Sequence, residues 1–293
     1  DGLKGFYENF EFVRSEEDPR FGAINLFIEK SSKKYVALIN KKCVDLESVS
    51  TTREKLAARM TLNHPNILKI IGYVRKEDEG MCGSSDTFTI FTEWYEHDLE
   101  LEIQQRQAKK EFFSEAELNY ILNSCLDAGA YFEANGIYHG DYRPLNILMN
   151  EGGNVYVADH SFLHPLIDDW GKHLGGQKGC YLSPGQLADL KKGGYNATYD
   201  VYKADVWSLG VSMLYASTLE DPLIIYKNGA VDETVLNSFI QGVQQNYSAG
   251  FAGKVASMLQ INEEARPTFT SLSGAQGGSF QTGAQGGFQQ SGS

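Results

Sequence analysis

The chain has 293 residues, 42% hydrophobic and 12% aromatic, enough to furnish a core in one large domain or two modest ones. Its formal net charge of −12 weighs against a nucleic-acid backbone or an anionic membrane as main partner, because both attract basic surfaces. No apolar run approaches the roughly 20 residues needed to cross a bilayer, and no signal-peptide pattern opens the chain.

In chain order, residues 6–95 read as strand-rich with one helix, and 99–272 as mainly helical. Short apolar or alternating runs at 10–14, 23–28 and 35–39, separated by charged turns, predict an antiparallel meander. Hydroxyl residues from Ser50 before helix formers predict a helix start, and the clean alternation of 87–92 predicts another strand. Ser114 with Glu117 forms a capping box for a helix whose apolar positions Leu118, Ile121, Leu122, Cys125 and Leu126 share one face. A second, buried helix is expected from about Asp205 to Leu214. Cys43, Cys82, Cys125 and Cys180 include no C-x-x-C pair, so neither zinc nor a disulfide framework is expected and a reducing cytoplasm is the simpler setting. The start at Asp1 rather than Met leaves room for an upstream segment. After Leu272 a Gly/Gln/Ser-rich near-repeat cannot bury enough apolar surface to order itself. It reads as a flexible terminus or, with Phe280 and Phe288 as anchors, as a segment held by a partner.

The most informative stretch is His139-Gly140-Asp141-Tyr142-Arg143-Pro144-Leu145-Asn146, followed by Asp159-His160-Ser161. His64-Pro65-Asn66-Ile67, Thr92-Glu93-Trp94-Tyr95, Ser183-Pro184-Gly185, Asp205-Val206-Trp207 and Ala265-Arg266-Pro267 stand at compatible spacing around it. Over roughly residues 10–272 this order resembles a eukaryotic protein kinase. The resemblance implies an α+β, bilobal fold. Residues 10–95 would form a small antiparallel β-rich lobe with one main helix, and 96–272 a larger, mainly α-helical lobe. An extension (1–9) and the tail (273–293) would flank them. It further implies ATP and magnesium as ligands. Asp141 would be the proton acceptor, and Arg143 would replace the lysine that steadies the transferring phosphoryl group. Asn146 and Asp159 would hold the metal. Ile24, Ala37 and Leu148 would sandwich adenine, with Thr92, Glu93 and Trp94 at the gatekeeper and hinge.

The departures concern charge. A glycine-rich turn lets backbone N–H groups approach phosphate, yet Glu17 and Pro19 stand at its first two glycine positions, with Phe21-Gly22 at the last. Val36-Ala37-Leu38-Ile39 ends in isoleucine where the family places its phosphate lysine. The glutamate that would pair with that lysine falls on Lys55, or on Glu54 with a one-residue shift. Gly140 removes an arginine that meets phosphorylated activation loops. Gly185 removes the glutamate partner of Arg266, which must then find another acceptor or water. His160 and Ser161 replace Phe and Gly, and a longer segment including 193–199 reads as a loop or a partner-binding insertion.

Bland readings stand beside these. Asp141 and Asn146 also hydrogen-bond within such a loop without chemistry. Asp205 reads as structural, His139 as a packed core residue, and Lys41 and Lys42 as solvated strand-end charges. Phosphoryl transfer rests on positioning and charge, so the expectation is a pseudokinase that acts as a protein-binding scaffold, with nucleotide binding left open. A component of a larger cytoskeletal or ciliary assembly is one form of this. The alternative is an atypical active kinase using Asp141, Asn146 and Asp159 with a relocated cation such as Arg20 or Lys41.

Overall fold

The computed structural model describes residues 4–80, 83–176, 179–193 and 197–274. The repeats with Phe280 and Phe288, Cys82, and residues 194–196 of the long segment lie outside them. Two compact units emerge, one of Asp1–Tyr95 with Asp159–Trp170, the other of Glu96–Ala158 with Gly171–Ser293.

The first unit is built on a five-stranded antiparallel sheet in the order β1-β2-β3-β5-β4. Its strands are β1 (Phe10–Asp18), β2 (Gly22–Glu29), β3 (Tyr35–Cys43), β4 (Ile70–Gly80) and β5 (Gly83–Glu93). Val36, Ala37, Leu38 and Ile39 are all buried, so both faces of β3 are covered and the run is continuously apolar rather than alternating. One face carries a cluster of Phe27, Val36, Leu38 and Phe91 against which Phe6 and Phe10 pack. Phe6 comes from a short helix, α1 (Lys4–Asn9), in the stretch read as an extension, and stacks on Phe10 at 4.2 Å.

The main helix, α2 (Leu46–Met60), starts earlier than its hydroxyl residues suggest. Asp45 is the cap, accepting from Ser48 N at 2.7 Å, and Thr51 lies inside the helix with its Oγ1 bonded back to Glu47 O at 2.8 Å. Thr52, Leu56 and Arg59 form its buried face. β4 was not named in the sequence reading, since Arg75, Lys76, Glu77, Asp78 and Glu79 form no apolar or alternating run. The hairpin instead satisfies charges across strands, as in Arg75 with Asp86 at 3.1 Å.

In the second unit, β6 (His97–Asp98), β7 (Ile147–Met149) and β8 (Val155–Val157) form a small sheet beside α3 (Leu99–Lys109) and α4 (Glu115–Ala134). The Ser114–Glu117 capping box closes at 3.1 and 2.9 Å, and all five apolar positions named for α4 are fully buried. Helix α5 (Ile167–Gly176) carries the chain from the first unit into the second, followed by α6 (Pro184–Lys191) and α7 (Val201–Thr218). Asp200 caps α7 by accepting from Tyr202 N and Lys203 N, both at 3.0 Å, so the helix begins before Asp205 and is buried almost all round. Helices α8 (Glu233–Asn246), α9 (Ala249–Met258) and α10 (Phe269–Ser273) complete the unit. Among the described residues no helix is long and apolar enough to cross a membrane.

Candidate active site

In the second unit the loop from His139 to Asn146 is anchored from below by α7. Asp205 accepts from His139 N and Gly140 N, both at 2.8 Å. The His139 Nδ1 accepts from Asp141 N at 3.0 Å, so Nε2 carries the proton and donates to Ala158 O at 2.5 Å. Tyr142 closes the stack, 4.4 Å from the His139 ring and 5.6 Å from Phe269. Gly140 has φ +88, so an arginine in its place would sit in the left-handed region at a cost of about 1–2 kcal/mol.

Asn146 Nδ2 donates to Asp141 O at 2.7 Å, and its own backbone carbonyl receives Ala158 N at 2.8 Å. Asp141 is buried, with Arg143 Nε 3.3 Å from its Oδ2. Burial pushes the Cys180 thiol up, and the adjacent Asp141 carboxylate adds to the effect. Leu148 on β7 is fully buried.

Arg266, with no glutamate at 185, donates to Gln260 O at 3.0 and 2.9 Å and to Lys203 O at 3.0 Å, and lies over the Trp207 ring. Tyr199, from the long segment, fills the space above Gly185: a Cβ there would lie 2.8 Å from the Tyr199 Cβ. Burial raises the Tyr199 phenol to about 12. That segment is therefore anchored at its end, with Thr198 N and Oγ1 bonded to Asp189 at 2.8 and 2.5 Å.

The first unit holds the rest of the sequence-derived set. Ile24 and Ile39 are register partners on β2 and β3, Ala37 pairs with Thr92 across β3 and β5, and all four are buried. Lys55 lies half-buried on α2 whereas Glu54 is exposed, so the register placing Lys55 at the lost glutamate is the one adopted. Burial lowers the Lys55 amine, as does Arg59 one turn later, while Asp159 raises it.

Asp159 is fully engaged. Arg59 Nε meets Oδ2 at 2.5 Å, and Ser161 N and Oγ donate to Oδ1 at 2.9 and 2.7 Å. Arg59 Nη2 also donates to Ser161 Oγ at 2.8 Å, so the serine that replaces a glycine completes a closed triangle.

The turn between β1 and β2 folds inward rather than presenting free amides. Asp18 Oδ1 accepts from Arg20 N at 2.7 Å and Phe21 N at 3.1 Å, and its Oδ2 accepts from Arg20 Nη2 at 2.8 Å. Burial pushes the Asp18 carboxyl up, but the Arg20 guanidinium and these N–H bonds hold it below its ordinary value. Phe21 lies 5.7 Å from both Trp94 and His160, and Arg20 sits over Trp94 at 5.1 Å. Arg20, a candidate for a relocated phosphate-binding cation, is thus tied to Asp18. Lys41 is half-buried on β3.

The motif order and this geometry agree with a comparison by family. The protein kinase domain profile matches residues 20–276. This chain belongs to the protein kinase domain family. Its α+β fold, an antiparallel sheet region followed by a helical region, is that of a kinase. The kinase domain is 24% identical over 263 residues to the serine/threonine-protein kinase Nek6 of Oryza sativa subsp. japonica, covering 89% of this chain and 46% of that protein. It is 30% identical over 148 residues to human dual specificity mitogen-activated protein kinase kinase 7, covering 48% and 33%. Against serine/threonine-protein kinase dst2 of Dictyostelium discoideum the identity is 28% over 222 residues, covering 72% and 17%. The chain spans less than half the length of these relatives.

Kinase domains generally use ATP and magnesium. Among the described residues, the buried Asn146 Oδ1 has no hydrogen-bond partner, an oxygen suited to a hard cation. Asp159 does not fit the ion, because its carboxylate already serves Arg59 and Ser161. Asp18, Phe21 and Arg59 were missed by sequence reasoning. Arg59 left one signal, an arginine on the apolar face of an amphipathic helix, where an unpaired charge is not tolerated.

Proposed function

We propose that this kinase domain does not transfer phosphate and acts as a protein-binding scaffold. One observation carries the reading: the first unit supplies its own substitutes for a nucleotide's charges. The Asp18 carboxylate takes the amides of the β1–β2 turn that would otherwise be open to phosphate, and the Arg59 guanidinium takes the carboxylate that would hold a metal. Ile39, fully buried, leaves no ammonium at the third-strand position.

The test is incubation of the purified chain with labelled ATP, magnesium and generic protein acceptors, alongside thermal melts with ATP in the presence and absence of magnesium. No transfer and no stabilisation are expected. Robust transfer that disappears in Asp141→Asn would overturn the proposal. A second reading, an atypical active kinase, draws on the intact Asp141–Asn146–Asp205 frame and on relatives named as kinases. It requires Arg59 to release Asp159, and the same assay decides between the two.

A further inference from the structure

A cluster of histidines that neither reading of the function uses lies on the stretch 160–173. A single helical turn, Ser161–Leu163, is closed by Leu163 N donating to His160 O and His164 N to Ser161 O, both at 3.0 Å, so His160 stands at its start and His164 at its end. His173 follows on α5, three residues after Trp170, a spacing that places those two side chains on one face of the same helix. The buried Trp170 ring lies 5.7 Å from both the His160 and the His164 rings. Each histidine offers one ring nitrogen, and the three nitrogens lie within 4.8 Å of one another. His160 is buried and His164 and His173 are half-buried, so the group is reached from solvent.

We propose that His160, His164 and His173 bind a zinc ion. Imidazole nitrogens suit zinc and its neighbours among the transition metals, whereas magnesium and calcium take oxygen ligands. Three protein ligands with water in the fourth position is an arrangement that zinc adopts. Tetrahedral Zn–N bonds of about 2.0–2.1 Å put the donors about 3.4 Å apart, so the nitrogens close by at most about 1.4 Å. Rotation of the two half-buried rings supplies that movement, while His160 is held by Phe21 and Trp170, each 5.7 Å away. Packing of this kind fixes ring orientation and keeps the surroundings of the metal apolar.

Cysteine spacing predicts no zinc site, and the positions 160, 164 and 173 match no simple ligand motif, because the rings come together only once the turn and α5 have formed. Three histidines packed on an indole only for their apolar faces would take no metal. The site uses neither Asn146 nor Asp159, so it goes beyond the scaffold reading and stands whether or not phosphate is transferred.

The probe is zinc chloride, titrated against a chromogenic chelator into the metal-stripped full chain carrying no polyhistidine tag. A single zinc per chain should bind with a Kd of about 10 μM or tighter, raising the melting temperature by a few degrees, and magnesium at about 10 mM should not displace it. His160→Phe keeps an aromatic ring against Phe21 and Trp170 and removes the nitrogen. His164→Ala and His173→Ala remove the half-buried donors. Each of the three should weaken zinc about tenfold or more, since even the partners of metal ligands carry that margin, whereas His64→Gln should leave it unchanged. Melts without zinc identify the variants that fold. Cobalt in place of zinc should give the visible bands of a tetrahedral nitrogen site without thiolate charge transfer. A Kd weaker than about 10 μM, thiolate bands with cobalt, or parent-like zinc affinity in any folded variant of the three would overturn the proposal.

Discussion

The His139–Asn146 loop of the second unit and the β1–β2 turn with the Asp159 loop of the first contrast in what their polar groups bind. In the second unit, Asp205, His139 and Asn146 spend their hydrogen bonds on the protein's own backbone, at His139 N, Gly140 N, Ala158 O and Asp141 O. In the first, Asp18 and Arg59 occupy turn amides and a carboxylate of the kind that a nucleotide and its metal would contact. Residues that hold backbone in a buried loop are indispensable to the fold whether or not chemistry occurs. Residues that only touch a ligand are exchangeable, provided the groups facing them find new partners.

The contrast is tested most severely at Asp205. Asp205→Ala leaves two buried N–H groups without an acceptor, so a loss of roughly 3–6 kcal/mol is expected, read as a large shift of the urea midpoint. A shift under about 1 kcal/mol would show that the frame is not what holds the loop.

Arg59→Leu comes next. It strands the Asp159 carboxylate in a site where both side chains are under 10% exposed, with an expected cost of about 3–5 kcal/mol. Arg59→Leu combined with Asp159→Leu should recover most of that, because a buried ion pair can be replaced by apolar groups at little net cost. A double-mutant cycle checks this, and additive losses would mean that the two residues do not act as a pair. If Arg59 is what excludes the metal, Arg59→Leu should also gain stabilisation from magnesium that the parent chain lacks.

A smaller effect separates Tyr199 from the glutamate it displaces. Gly185→Glu restores the residue the family has there, but its Cβ would lie 2.8 Å from the Tyr199 Cβ, so it should destabilise by about 1–3 kcal/mol. Adding Tyr199→Gly, which removes the Cβ along with the ring, should relieve the clash and offer Arg266 a carboxylate. An unchanged melting temperature for Gly185→Glu alone would show that the long segment does not pack there.

These sites also mark where the sequence was legible. The capping box, the apolar face of α4 and the spacing of the kinase motifs are local or periodic features, and they point to the fold directly. The loss at Ile39 followed from the same register, which left Lys55 and Glu54 as alternatives; Lys55 is the half-buried one. What escaped was compensation at a distance in sequence: Arg59 reaching Asp159, Phe21 reaching Trp94 and His160, Tyr199 covering Gly185. No periodicity reports such contacts, because each is made by a single side chain crossing between elements. β4 was missed for a related reason, since charged residues paired across strands show no apolar alternation when read along one strand.

The smallest predicted effect concerns His64, which lies on the turn after α2 with Nδ1 accepting from Asn66 N at 3.0 Å. Burial pushes its imidazole down to about 4. Below its ordinary value of 6.5 the unfolded chain takes up a proton that the folded chain refuses until about pH 4. The contribution of His64 is therefore complete above pH 6.5 and lost as pH falls toward 4. Asp18 acts in a lower window: its carboxyl is held below 3.8, so its stabilisation is lost only as pH falls through that range. Asp127 and Glu133, raised by burial, act with the opposite sign within the carboxylate range, so the parent melt alone would mix these terms. Comparison with His64→Gln isolates the histidine. The variant should lose fewer degrees between pH 6.5 and 4 than the parent, by on the order of a few degrees. Parallel curves would mean that the turn opens enough to let the imidazole protonate in place.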